Sequence, residues 1–349
     1  MSAASMRAVL LAAPGEIEIV TRDVPQPGPG EVIVHVAATS ICGSDLSAYR
    51  GVHPWIKPPA ILGHECAGTV SKVGAGVADG IVGTLVCIEP NICCGTCRYC
   101  VAGLPNICPN YRVLGEAADL PGGMAEYVAV PADQVYPLPP TLAAEEGALV
   151  QPLAISYEGA VERGQVREGE RVLIVGAGPI GLGAMLHSRI RGAKVLVIDL
   201  VDYRLAKARD LGAEQVLRAD APDLEAAVLE WSGGYGVDVA IEAVGGAQHA
   251  TAATAQRLTA PRGRIVILGS FEDSSFPFPV AEVKKREQTV IGSHGHPRTF
   301  APVIDRIADG SLRPHELITH TVGIEDVPEA LRLIDERADE VMKVVIKQS

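Results

Sequence analysis

The spacing of apolar and polar positions divides the chain into two kinds of pattern. From Met6 to about Pro140, apolar residues come in short runs of β character: Ala8 to Leu11, Ile17 to Val20, Glu31 to Ala38, Gly68 to Val73, Thr84 to Glu89 and Ala125 to Val130. Turn residues separate them, most densely at Pro25, Pro27, Gly28, Pro29 and Gly30. This half is predicted to be strand-rich and loop-rich. From about Glu170 the pattern becomes apolar strands alternating with helical stretches, as at Arg171 to Val175, Lys194 to Ile198, Gln215 to Leu217, Val237 to Glu242 and Arg264 to Leu268. Strands buried on both faces carry no polar alternation, so this half predicts a doubly wound parallel sheet. A last β-like run, Met342 to Lys347, has no helix after it and can return to the first domain.

Composition agrees. A chain of 349 residues exceeds what one hydrophobic core usually organises, so two domains are expected. Hydrophobic residues make up 48% and aromatics only 4%; the balance of Val, Ala, Leu and Ile suits parallel strands packed on Ala-rich helices, and the expected class is α/β. The formal charge of −12, with no long Lys/Arg run, excludes nucleic acid as a partner and leaves small molecules. No stretch reaches the roughly eighteen apolar residues of a membrane span, and Met1 to Arg7 lacks the apolar segment of a secretion signal. A cytoplasmic protein is expected, in which thiols stay reduced.

Those thiols are informative. Five cysteines fall within sixteen residues, and Cys94, Cys97, Cys100 and Cys108 read as C-x2-C-x2-C-x7-C, a spacing that can close four thiolates around one tetrahedral zinc ion. Cys93 lies outside that register. Such a site has no open coordination position, so it shapes a lobe of chain and catalyses nothing.

A nucleotide site is predicted further on. Gly176-Ala177-Gly178-Pro179-Ile180-Gly181 follows the strand Val172 to Val175 and opens a helix through Met185 and Ile190. Gly176 permits the tight turn, Gly178 lets a pyrophosphate approach the backbone, and Gly181 lets helix and strand pack closely. The helix N-terminus offers N–H groups and partial positive charge. Asp199 ends the next strand 21 residues beyond Gly178, where a carboxylate accepts hydrogen bonds from the adenosine ribose and repels a 2′-phosphate. NAD is therefore expected over NADP, although Arg204 can grip ribose or phosphate.

Two polar islands in the first half, Cys42-Gly43-Ser44-Asp45 and Gly63-His64-Glu65, supply a thiolate, an imidazole and a carboxylate, the ligand types of an open zinc site. Together with Gly68, Val73-Gly74, the four-cysteine run, Gly122-Gly123-Met124-Ala125-Glu126-Tyr127 and the glycine turn, they occur in the order seen in zinc-dependent medium-chain alcohol dehydrogenases, which the chain resembles over nearly its whole length. Cys42-Gly43-Ser44-Asp45-Leu46 is more similar to the polyol, threonine and sugar dehydrogenases than to the ethanol enzymes.

The resemblance implies a GroES-like catalytic domain over 1–151 and 295–349, with a metal lobe near 90–110, interrupted by a Rossmann domain over 152–294. It implies two zinc ions per chain, one structural and one catalytic, and a homodimer or homotetramer. Cys42 and His64 would hold the catalytic zinc, with Glu65 a close or intermittent ligand, Ser44 taking the proton of an alcohol substrate and Asp45 hydrogen-bonding His64. At the family's third ligand position, a glutamate in Glu-Pro-Leu-Ala, this chain has Gln151-Pro152-Leu153-Ala154. Gln151 can ligate weakly through its oxygen, contact substrate, or leave Glu65 as third ligand. Ser47 stands where relatives carry a relay histidine, leaving His53 or water for that task.

Tyr49, Trp55, Glu116, His294, His296 and Arg298 are candidate substrate contacts, and His35, His187, His249, His315 and His320 read as structural. The implied reaction is NAD-dependent oxidation of a secondary alcohol on a polyol, sugar, cyclitol or amino alcohol. The alternatives are a redox-silent nucleotide-binding protein with only the structural zinc, and a zinc-independent quinone or enone reductase.

Overall fold

The computed structural model describes residues 4–117, 119–246, 250–272, 275–336 and 340–348. The chain forms two compact units, Met1–Gln151 with Phe300–Ser349, and Pro152–Thr299.

In the first unit the strand Glu31–Ser40 is the organiser. Along one edge it pairs with Glu65–Val73, and along the other first with Tyr127–Pro131 and then with Lys343–Lys347, all antiparallel. Leu85–Ile88, Val135–Pro137 and Ile318–Gly323 complete a seven-stranded sheet. With partners on both edges, most of Glu31–Ser40 is buried. Val32, Val34 and Val36 pack with Val70, Val86, Ile88, Val128 and Val130. A second cluster joins Leu11, Ile56, Leu62, Leu331, Val344 and Ile346. The C-terminal run thus does return to the first unit. Its register sets Val345 and Glu65 on opposite sides of Ser40, and this brings residue 343 toward residue 65.

The second unit is a six-stranded, fully parallel sheet. Its spatial order is Gln215–Arg218, Lys194–Asp199, Arg171–Val175, Val237–Glu242, Thr259–Ile267, Thr289–Gly292. Chain order reverses at Arg171–Val175, which places the ligand crevice of such sheets beyond the carboxyl end of that strand. Leu173, Val175, Leu196, Ile198, Val228, Ala240, Leu258 and Ile265 form the core. Among the strands named here, the short Val135–Pro137, Thr289–Gly292 and Ile318–Gly323 escape the sequence pattern. Thr289–Gly292 is a four-residue edge strand with three exposed positions, and Ile318–Gly323 is only partly buried, so neither carries an apolar run. The unit closes at Thr299, whose hydroxyl donates to the carbonyls of Ala154 at 3.2 Å and His296 at 3.0 Å.

The helix Val150–Tyr157 continues into a wide π-helical turn, Glu158–Arg163, that buries Glu158. Burial first, and the Glu162 charge second, lift the Glu158 carboxyl to about 7, against the pull of Arg163. A carboxyl with a raised folded pKa favours the fold below its unfolded value of 4.5, and that advantage is lost as pH rises through 7. Glu158→Gln is therefore expected to raise the melting temperature at pH 8 and to leave it nearly unchanged at pH 4.5. Calorimetry showing the same shift at both pH values would contradict this origin.

Candidate metal centre and nucleotide site

The four-cysteine lobe has the dimensions of a zinc site. A tetrahedron with Zn–S bonds near 2.3 Å has S···S edges of about 3.8 Å. Here Sγ separations are 3.5 Å for Cys97–Cys100 and Cys94–Cys108, 3.8 Å for Cys97–Cys108 and 4.0 Å for Cys94–Cys100. Backbone N–H groups of Cys97, Cys100 and Asn110 point at the sulfurs of Cys94, Cys97 and Cys108 at 3.4–3.5 Å. Such donors favour thiolates: those from Thr96 and Cys97 bring the Cys94 thiol down to about 6.

In the second cluster His64 and Glu65 are buried and Cys42 is half-buried. Ligand atoms of Cys42, His64 and Glu65 all lie within 4.8 Å of one another. Cys42 precedes the helix Gly43–Tyr49, and its N–H donates to Asp45 Oδ2 at 2.9 Å. Asp45 Oδ1 accepts from the Gly63 N–H at 3.3 Å, so one carboxylate ties together the two turns that carry the ligands. The expected Asp45–His64 hydrogen bond is not formed, because Asp45 is occupied by backbone donors and acts on the imidazole only through its charge. His64 Nδ1 is buried without a hydrogen bond. Ser44 Oγ is likewise buried and unpartnered; capping of its helix is carried by Cys42 and Asp45, which leaves the hydroxyl available.

Glu65 is anchored from below. Its Oε2 receives both the Ser40 hydroxyl and the Lys343 ammonium, and Lys343 also donates to the Ile41 carbonyl at 2.9 Å. Both contacts fall on Oε2. Burial disfavours a charged His64, yet the Cys42 sulfur, Asp45 and Glu65 together raise its pKa to about 10. The thiol, imidazole and carboxylate gathered in this pocket suit zinc.

In the second unit the glycine turn is built for a phosphate. Gly176 has φ +98°, closed to most side chains. A Cβ on Gly181 would stand 1.8 Å from the Gly176 carbonyl oxygen, whereas a Cβ on Gly178 would meet nothing within 4 Å. The backbone is thus open to a ligand at Gly178 and closed by packing at Gly181. Gly178 caps the helix Pro179–Ile190, and Pro179 at its first position has no N–H to leave unsatisfied. Asp199 Oδ2 accepts from the Ala177 N–H at 2.6 Å and Oδ1 from Val201 N–H at 2.9 Å, fixing the carboxylate beside the turn. Ile180 follows Pro179 in the first turn of that helix, and Arg204 lies in the first turn of the helix Asp202–Asp210, without an ion pair among the described residues.

Known proteins share both features. Residues 28–140 match the family model of the alcohol dehydrogenase GroES-like domain, and 179–309 that of the zinc-binding dehydrogenase. An L-threonine 3-dehydrogenase of Pyrococcus abyssi is 38% identical, covering 94% of each chain. The chain belongs to the zinc-dependent medium-chain alcohol dehydrogenase family. Idonate and sorbitol dehydrogenases among its relatives place this dehydrogenase in the polyol and threonine branch, and it is an oxidoreductase. A solved alcohol dehydrogenase, RspB of Escherichia coli CFT073 in complex with NADH, superposes with TM-score 0.91 at 32% identity, covering 99% of each chain. A zinc-binding dehydrogenase of Sinorhizobium meliloti bound to NADP does so with TM-score 0.91 at 33% identity, covering 99% of this chain and 100% of that one.

The remaining candidates divide. Trp55 Nε1 donates to Glu116 at 3.2 Å, and Trp55 meets the His53 ring edge-on, with centroids 5.3 Å apart. Gly115 rests against the backbone of Gly63, so this wall stands beside the His64 turn. Tyr49 instead packs on the apolar cluster of Leu11, Ile56 and Leu331. His294 and Arg298 are exposed and His296 is buried, all in the second unit. Gln151 is buried on the helix Val150–Tyr157 with no hydrogen bond among the described residues.

Of the histidines read as structural, His35 stacks on Tyr127 at 4.7 Å, His187 Nε2 lies 3.0 Å from the Leu153 carbonyl, His315 pairs with Glu146 at 2.9 Å, and His320 lies 3.0 Å from Thr319 Oγ1. His249 falls outside the described residues. Sequence reading missed Ser40 and Lys343; the one signal was a lysine inside the apolar run Met342 to Ile346.

The two glycines should separate binding from folding. Gly178→Val is expected to weaken NADH binding at least about tenfold, by calorimetric titration, with little change in melting temperature. Gly181→Val is expected to destabilise the unit by about 3 kcal/mol or more. The reverse assignment would refute the geometry of the turn.

Proposed function

We propose that this dehydrogenase oxidises a secondary alcohol of a polyol, sugar, cyclitol or amino alcohol to the ketone with NAD. The carrying observation is the meeting of half-buried Cys42 with buried His64 and Glu65 beside the unpartnered Ser44 hydroxyl. Cys42 and His64 are assigned as fixed ligands of the catalytic zinc and Glu65 as a close or intermittent one. Gln151 supplies a neutral amide, a weak ligand or a contact to a substrate hydroxyl. Cys94, Cys97, Cys100 and Cys108 hold a second, structural zinc. When bound, zinc acts as a Lewis acid on the substrate oxygen, and NAD accepts the hydride.

Ser44 Oγ takes the hydroxyl proton as it gives up its own to the cofactor ribose or to water. His53 Nδ1 accepts the Ile56 N–H at 3.0 Å, so only Nε2 can exchange a proton, and passage through the ring is blocked. Burial, ahead of the neighbouring charges, lowers the His53 pKa and keeps the ring neutral. Water is therefore assigned the relay that Ser47 cannot provide. Trp55 and Glu116 form a wall offering an indole face and a carboxylate to a polar substrate.

NAD is favoured because the Asp199 carboxylate is held where it repels a 2′-phosphate; structural neighbours take either dinucleotide, so fold alone does not decide. A homodimer or homotetramer is supported by the Thr289–Gly292 edge, which carries an exposed Val290 and no partner strand beyond it among the described residues. A cytoplasmic location is supported by eight cysteines, all free of disulfides. The clustered donors count against both the redox-silent and the zinc-independent reading.

NADH absorbance followed over polyols, aldoses, inositols and threonine is expected to show turnover of at least one. His64→Ala should reduce it about a thousandfold, the equivalent of several kcal/mol. A flat response to the whole panel with zinc present would contradict the substrate class. Activity surviving His64→Ala would contradict the metal's role.

A further inference from the structure

Arg218 ends the strand Gln215–Arg218 and stands opposite Asp199 in the parallel register. Neighbouring strands lie about 4.8 Å apart, so an arginine sits one strand spacing from the carboxylate assigned to the adenosine ribose. An arginine in that place can be the ligand of a 2′-phosphate, since its planar fork matches phosphate oxygens. Here the fork is already engaged. Nη1 donates to Asp202 Oδ1 at 2.7 Å, while Nε and Nη2 donate to the two oxygens of Asp220 at 2.9 Å each.

The three side chains are 42%, 80% and 54% exposed, and ion pairs so exposed contribute little to stability. Their effect is electrostatic. Asp199, Asp202 and Asp220 set three negative charges against the one of Arg218, and a phosphate approaching this strand end meets the Asp202 and Asp220 carboxylates on the guanidinium it would need.

We propose that Arg218 is a withheld 2′-phosphate ligand, and that Asp202 and Asp220 are specificity-determining residues that keep it from the dinucleotide. This rests on the proposed preference for NAD. It assigns that preference to an ion-pair triad on two neighbouring elements as well as to Asp199. Neither carboxylate needs to touch NAD for the effect.

The test is calorimetric binding of NADH and NADPH to three forms of the full chain: unaltered, Asp202→Asn with Asp220→Asn, and that pair combined with Arg218→Gln. The unaltered protein is expected to bind NADH at least about tenfold more tightly. The double variant should gain about tenfold or more in NADPH affinity, with a gain that shrinks as salt rises and disappears in the triple variant. If the unaltered protein discriminates but the double variant gains nothing, or gains equally without Arg218, the proposal is overturned while the NAD reading stands. Equal binding of both dinucleotides by the unaltered protein would overturn the NAD reading and this proposal together.

Discussion

The buried ion pair between Lys343 and Glu65 is the constraint on which the metal centre depends. A carboxylate withdrawn from water costs several kcal/mol unless a counter-charge and hydrogen bonds accompany it. Lys343 supplies the charge and Ser40 the hydrogen bond, both to Oε2 of Glu65. These three residues come from strands far apart in the chain and adjacent in one sheet. The last strand is therefore part of the site's foundation, and the first unit has to be assembled from both ends of the chain before the ligands are in place.

The two sites handle charge in opposite ways. At Cys42, His64 and Glu65 a thiol, an imidazole and a carboxylate meet within 4.8 Å of one another beside the buried Asp45, a donor set that suits a divalent cation. At the glycine turn the backbone offers an open approach at Gly178 and a helix N-terminus, with one carboxylate, Asp199, held beside it by the Ala177 and Val201 N–H groups. Metal and dinucleotide are thus selected by physically distinct means, each built into its own unit.

Sequence carried most of what is local. The four-cysteine spacing, the strand–glycine–helix turn and the apolar strands of the second unit each express their geometry within a few residues, and each was legible as written. What depended on long-range register was not. Lys343 reads as part of an ordinary β run, and Ser40 lies past the end of the run Glu31 to Ala38, because nothing near them indicates that they meet Glu65. Asp45 was assigned to His64 from family pattern, yet backbone donors of Cys42 and Gly63 claim its carboxylate. Tyr49 lies near the motif in sequence but turns into the apolar core. The edge strand Thr289–Gly292, exposed at three of its four positions, lacks the apolar run that marked its neighbours.

Zinc-edge anomalous diffraction from crystals of the zinc-loaded protein addresses the central claim most directly. The account predicts two peaks per chain, one enclosed by the sulfurs of Cys94, Cys97, Cys100 and Cys108, the other between the Cys42 sulfur and the His64 imidazole, within reach of Glu65. A single peak at the four cysteines, with density showing Cys42 and His64 in contact and no ion between them, would contradict it.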